Sequence, residues 1–144
     1  EVAAITNKQP YRGNVRITAS SYRGSVVLMG QATTDSERRA FENQAKDVAG
    51  VESIHNQVRV KEPLTISAIS NDSWITTKVK SALLANADLN GIKVKVITED
   101  SEVFLLGLVS REHADIATEV ARNVSGVKQV IRAFEYGEEE TAVN

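Results

Sequence analysis

Val103-Phe104-Leu105-Leu106-Gly107 repeats, 77 residues on, the pattern of Val26-Val27-Leu28-Met29-Gly30. Each run is apolar on both faces, which suits a strand inside a sheet. Each ends at a glycine, where a missing side chain permits a bend or the close approach of a helix. Upstream of them stand the β-rich runs Val15-Arg16-Ile17-Thr18-Ala19 and Val94-Lys95-Val96-Ile97. Arg23-Gly24 and Asp100-Ser101 lie in between, as hairpin turns do.

Downstream the two copies also agree. Thr33 or Thr34 with Glu37 forms a helix-capping arrangement, and Ser110 can cap the corresponding helix of the second copy. The first helix is predicted to run to about Val48 with Phe41, Ala45 and Val48 as its apolar stripe. The second is predicted to run to about Val124, with Ile116, Ala117, Val120, Ala121 and Val124 inward. Gly50 and Gly126, 76 residues apart, are expected at C′, ending each helix in the left-handed region. Exit strands follow, Ile54 to Val60 and Val130 to Phe134. In the first of these Ile54, Asn56, Val58 and Val60 alternate with His55, Gln57 and Arg59.

The repeat sets the domain plan. One unit spans 1–62, a second 71–136, and 63–70 joins them as a short segment without charge that reads as docked rather than flexible. Residues 137–144 are expected to fray. A unit of this size buries a limited core, so every covering helix counts. The second unit has a leading helix. The first has only Val2 to Ile5 in its place, as though most of that helix were cut away.

The leading helix is Asn71-Asp72-Ser73-Trp74-Ile75-Thr76-Thr77-Lys78-Val79-Lys80-Ser81-Ala82-Leu83-Leu84, and it holds the only tryptophan. Asp72 or Ser73 can accept from the first free helix N–H groups, so the helix is predicted to start there. Ile75, Val79, Ala82 and Leu83 recur at helical period and form the buried stripe. Trp74 falls about 100° off that stripe, on a flank with Lys78, Ser81 and Ala85. Lys80 and Leu84 lie on the other shoulder. Two readings of Trp74 stand on these residues alone. An aromatic beside lysines can enter a lipid headgroup region, or it can cap the core, where tryptophan is more often found.

Composition narrows the function classes. No run approaches the roughly 18 apolar residues of a membrane-spanning helix. With no cysteine, disulfides, thiolate chemistry and cysteine metal sites are excluded within these residues. The first unit has nine basic and seven acidic side chains and the second eight and nine, so neither has the dense basic face of a nucleic-acid binder. His55 and His113 have no partner at metal-ligand spacing and read as surface residues. Glu99, Asp100 and Glu102 read as a solvated hairpin turn, and Glu138 to Glu140 as a solvated tail. No phosphate loop, nucleophile elbow or paired-carboxylate motif occurs, so no cofactor and no enzymatic activity are expected.

The repeated unit resembles the BON domain, a small αββαβ module of bacterial envelope proteins. The residues that carry this are Gly30 and Gly107 after the apolar strands, with Ala49-Gly50-Val51 and Ser125-Gly126-Val127 before the last strands. The run Asn71 to Val79 together with Val103 to Val109 is similar to the dual BON-domain outer-membrane lipoproteins of Gram-negative bacteria. The resemblance implies an α+β fold of two tandem BON domains, each a three-stranded sheet covered by two helices, with the first helix of domain 1 truncated. It further implies a lipid-anchored protein on the periplasmic face of the outer membrane, although these residues contain no lipidated cysteine. Such proteins support envelope integrity, concentrate at the division site, and are linked to the outer-membrane protein assembly machinery.

In that family the first helix of the second domain binds anionic phospholipid such as phosphatidylglycerol. The matching residues here are Trp74 and Leu84, and the same helix adds Thr77, Lys78, Lys80, Ser81 and Ala85. With the resemblance, the membrane reading of Trp74 is the expected one, with Asp72 opposing an anionic surface. The competing expectation is a soluble periplasmic protein-interaction or stress-response module, as other two-BON proteins are.

Overall fold

The computed structural model describes residues 15–22 and 24–137. The helix remnant expected at Val2 to Ile5 and the tail 138–144 lie outside the described residues. Gly137, the last of those described, still donates its N–H to the Val109 carbonyl at 3.0 Å. Two units divide at Thr65 and Ile66.

In the first unit, β1 (Val15–Tyr22) and β2 (Ser25–Ala32) form a hairpin, α1 (Asp35–Lys46) crosses over, and β3 (Ser53–Val60) returns beside β2. β2 is central, antiparallel to β1 and parallel to β3. The apolar doublet pattern of Val26 to Met29 is explained by this position. Val26 and Leu28 face α1, joined by Val15, Ile17, Ala32, Phe41, Ala45 and Val58 in one core, while Val27, Met29 and Gln31 are buried on the opposite side. Leu64, beyond β3, donates its N–H to the Gln31 side chain at 3.1 Å. Thr34 is the N-cap of α1, and its reciprocal bonds with Glu37 complete a capping box.

Asn56 on β3 reaches α1, giving its amide N–H to Glu42 at 2.9 Å. That bond, with Lys46 at 3.2 Å, holds the Glu42 carboxyl below its ordinary value of 4.5. A carboxylate with a depressed folded-state pKa contributes stability above the unfolded value and loses it as pH falls through the folded one. Glu42→Gln should therefore narrow its stability gap to the unaltered protein as pH drops below about 4.5. Urea melts across that range would read this, and a pH-independent gap would refute it.

The second unit has the same topology with a helix in front. α2 (Ile66–Ala85) leads through a short 3₁₀ turn (Ala87–Leu89) to β4 (Lys95–Glu99), β5 (Glu102–Val109), α3 (Arg111–Arg122) and β6 (Gln129–Tyr136). β5 is central, between antiparallel β4 and parallel β6. Ile75, Val79 and Leu83 of α2 and Ala117 and Ala121 of α3 pack on Val96, Val103 and Leu105. Ser110 caps α3 by accepting from the His113 N–H at 3.1 Å. The His113 ring lies against the same hydroxyl at 2.9 Å, so it is half-buried rather than a surface residue, whereas His55 is exposed.

Three sequence expectations need correction. Gly30 and Gly107 lie inside β2 and β5 rather than after them. They admit a neighbouring backbone carbonyl, not a helix: a Cβ would stand 1.9 Å from the Arg16 oxygen at Gly30 and 2.8 Å from the Lys93 oxygen at Gly107. Gly50 and Gly126 are not at C′. The helices end at Lys46 and Arg122, their last carbonyls taken by the N–H groups of Asp47, Val48, Asn123 and Val124. Each glycine instead serves the next turn, where Val51 and Val127 donate back to the Val48 and Val124 carbonyls. Positive φ there, +90° and +93°, suits the third position of a type II turn. Finally, Glu99 and Glu102 are buried, so the β4–β5 hairpin is not a solvated cluster.

Candidate functional site

The helix that leads the second unit, α2, is longer than its sequence suggests. It begins at Ile66, so residues 66–70 are helical, not part of a connecting segment, and Asp72 and Ser73 do not cap it. Asp72 lies inside the second turn, 5% exposed. Its two carboxylate oxygens accept the backbone N–H groups of Asp100 and Ser101, each at 2.8 Å. Those two residues have φ of 53° and 65°, the left-handed pair that a two-residue type I′ hairpin demands. The acid thus holds an unfavourable turn from a helix 28 residues upstream. Its charge is spent inward and does not oppose ligands on the outer face.

Asp72→Ala would leave both turn N–H groups without their acceptor. Charge-assisted bonds are worth about 1.5–3 kcal/mol each to stability, so a loss of roughly 3 kcal/mol is expected, measurable by urea denaturation. A change under about 1 kcal/mol would mean water replaces the carboxylate at no cost.

The outward face of α2 is set by the same periodicity. Ile66, Trp74 and Leu84 are 83%, 59% and 83% exposed. Ile66 and Leu84 are five full turns apart, hence in line along about 27 Å of helix, and Trp74, between them along the axis, stands about 80° round it on the same outward side. Three of the five exposed large apolar side chains among the described residues therefore share one helix face. Thr77, Lys80, Ser81 and Ala85 are exposed on or beside it. Trp74 is consequently not a cap on the core.

Lys78 is placed differently from the other residues singled out in the sequence. Its ammonium donates to the Ser125 carbonyl at 2.8 Å and to the Ser125 hydroxyl at 3.0 Å, while standing 5.7 Å from the centre of the Trp74 ring. It anchors the tryptophan to the α3–β6 turn through a cation–π contact. Lys80 makes no ion pair with another described residue and is the freer cation of the two. Thr77 spends its hydroxyl proton on the Ser73 carbonyl at 3.1 Å. Ile66 was missed in the sequence because it sat in the segment read as a connector. Its signal was available in retrospect, in register with Leu84.

Among the described residues no group of histidine, aspartate and glutamate is arranged to hold a metal ion, and no helix is long and apolar enough to cross a membrane. What the site presents is an outward helix side with three exposed apolar side chains, the tryptophan held by Lys78, and Lys80 without an ionic partner among the described residues.

The chain belongs to the BON-domain family, whose model matches residues 1–62 and again 71–138. Within it the chain is a dual BON-domain protein similar to the outer membrane lipoprotein DolP of Haemophilus influenzae, 38% identical over 92% of this chain and 69% of that one. A protein described as a 21 kDa hemolysin, from Actinobacillus pleuropneumoniae, is 49% identical over 84% of this chain and 62% of its own length. The osmotically-inducible protein Y of Escherichia coli is 32% identical over 73% of this chain and 54% of its own. The chain thus spans about two thirds of the first two relatives' lengths. Among solved structures, the C-terminal domain of CdsD, a structural protein of the type III secretion system of Chlamydia trachomatis, matches at 12% identity with a TM-score of 0.39 over 94% of this chain and 95% of that one.

Proposed function

We propose that this protein is a non-enzymatic envelope protein that lays the outward face of α2 on an anionic phospholipid surface and so supports outer-membrane integrity. The observation that carries this is the exposure of Ile66, Trp74 and Leu84 on the outward side of α2, with Lys80 beside Leu84 and no acid facing out. A helix with an apolar strip and cations on its shoulder suits the headgroup boundary, where the apolar side chains insert shallowly and the lysine meets phosphate. Phosphatidylglycerol has the required charge. Similarity to an outer membrane lipoprotein supports placing the protein in the envelope; we propose further the periplasmic face of the outer membrane, a lipid anchor, and action at the division site and beside the outer-membrane protein assembly machinery. One helix face gives weak, salt-sensitive binding, and an anchor would supply the second attachment that stable residence needs.

Chemical-shift mapping during titration with phosphatidylglycerol micelles, repeated with a zwitterionic lipid, tests this. Perturbations confined to α2 and its neighbours and specific for the anionic lipid are expected. Perturbations absent, or indifferent to charge, would overturn it. The likeness to an osmotically-inducible protein favours one other reading, a protein-interaction or stress module using the same face. Under that reading Trp74 fluorescence would not shift to the blue on adding anionic vesicles.

A further inference from the structure

The C-terminal half of α2, the 3₁₀ turn and the approach to β4 enclose a cavity of about 200 Å³ lined by Lys80, Leu83, Leu84, Leu89, Ile92 and Val94. Leu83 and Leu89 are buried and form its floor, Ile92 and Val94 are half-buried walls, and Lys80 and Leu84 are exposed at its mouth. Five of these six side chains are apolar, and the sixth is a lysine whose ammonium has no ionic partner among the described residues. Water gains little in such a space, because it needs two to four polar partners and the lining side chains offer one.

We propose that this cavity receives part of one acyl chain of an anionic phospholipid, with the Lys80 ammonium meeting the headgroup phosphate at the mouth. Two features select this occupant. The single cation at the rim of an apolar cavity complements a molecule with an anionic head and an unbranched apolar tail. Leu84 belongs both to the mouth and to the exposed strip of α2, so the cavity opens directly from the surface proposed to contact the membrane. The inference rests on that reading of α2 and deepens it. The strip alone would let the protein lie on the surface, whereas a chain drawn into the cavity would make binding depend on individual lipid molecules.

The test uses soluble phosphatidylglycerols with butanoyl, hexanoyl and octanoyl chains, each kept below its micelle-forming concentration, and the chain-free glycerophosphoglycerol as the control. Affinity should rise about fourfold for each methylene that enters the cavity and then level off once it is full. Nuclear Overhauser contacts should connect acyl methylenes to the side chains of Leu89 and Val94. Val94→Phe, which fills the cavity from a half-buried wall, should weaken the octanoyl lipid about tenfold and leave Trp74-dependent vesicle binding in place. Should that variant fail to fold, the contacts in the unaltered protein decide. Equal affinity for the chain-free control, or contacts to Leu84 without Leu89 and Val94, would overturn the cavity proposal while vesicle binding through Trp74 stands. Loss of all binding to phosphatidylglycerol vesicles by the unaltered protein would overturn both.

Discussion

Gly30→Ala should unfold the first unit's sheet. The methyl group would have to occupy a point 1.9 Å from the Arg16 carbonyl oxygen, on the strand paired with β2. That atom is backbone and cannot rotate aside. At the same time φ of +132° lies where only glycine is at ease, which adds about 1–3 kcal/mol of strain. Forcing the strands apart costs roughly another 1–3 kcal/mol. A unit of this size is expected to have only about 3–10 kcal/mol in total, so the sum removes most of it. Gly107→Ala meets the same geometry more gently, at 2.8 Å from the Lys93 oxygen and φ of +141°, and should cost less. Gly50→Ala has nothing within 4 Å of its methyl group and should show strain alone. Amide hydrogen exchange in β1, β2 and β3 for Gly30→Ala and Gly50→Ala, and in β4, β5 and β6 for Gly107→Ala, ranks the three. A Gly30→Ala protein with unchanged protection in β1, β2 and β3 would mean that the strands do not approach as closely as described.

What was legible in the sequence was local. Hairpin turns, the Thr34–Glu37 box and the Ser110 cap are settled within a few residues, and the repeat supplied a hairpin and a capped helix in each unit. The central position of β2 and β5 followed from apolar runs with no polar face. Long-range choices were hidden. Asp72 looks like a cap because aspartate before an apolar stripe is one of the best helix-start signals. Its acceptors in fact serve Asp100 and Ser101, far along the chain. Ile66-Ser67-Ala68-Ile69-Ser70 mixes serine with β-branched isoleucine, middling helix formers that read as a connector. The helix nevertheless starts at Ile66, and the correction brings that residue onto the candidate face. Lys78 could be placed on the helix but not paired, since Ser125 is brought to it only by the fold. The cavity beside Leu84 needs the 3₁₀ turn and the approach to β4 in place, and no periodicity announces it.

The candidate face yields a sharper expectation, the loss of membrane binding in Trp74→Glu without loss of the fold. Trp74 is 59% exposed and absent from the second unit's core, so its replacement should leave the urea midpoint nearly unchanged. Binding should fall at least about a hundredfold, because a fully inserted large apolar side chain contributes about 1.5–3 kcal/mol and the new carboxylate is repelled by an anionic surface. Ile66→Ser and Leu84→Ser, which remove smaller apolar groups from the ends of the strip, should each cost about tenfold. Lys80→Gln should cost about fivefold at low salt, as one near-surface cation is worth about 1 kcal/mol, and the loss should shrink as salt screens it. Lys78→Gln acts by another route. It releases the ring from the α3–β6 turn, so it should broaden the Trp74 emission in the free protein and weaken binding with little salt dependence. Vesicle co-sedimentation with phosphatidylglycerol measures all five. Equal binding by Trp74→Glu and the unaltered protein would remove α2 as the lipid face. A loss in Ile66→Ser as well would mean that the helix lies flat along its whole length, since a tip-first insertion at Leu84 could not reach a residue about 27 Å away.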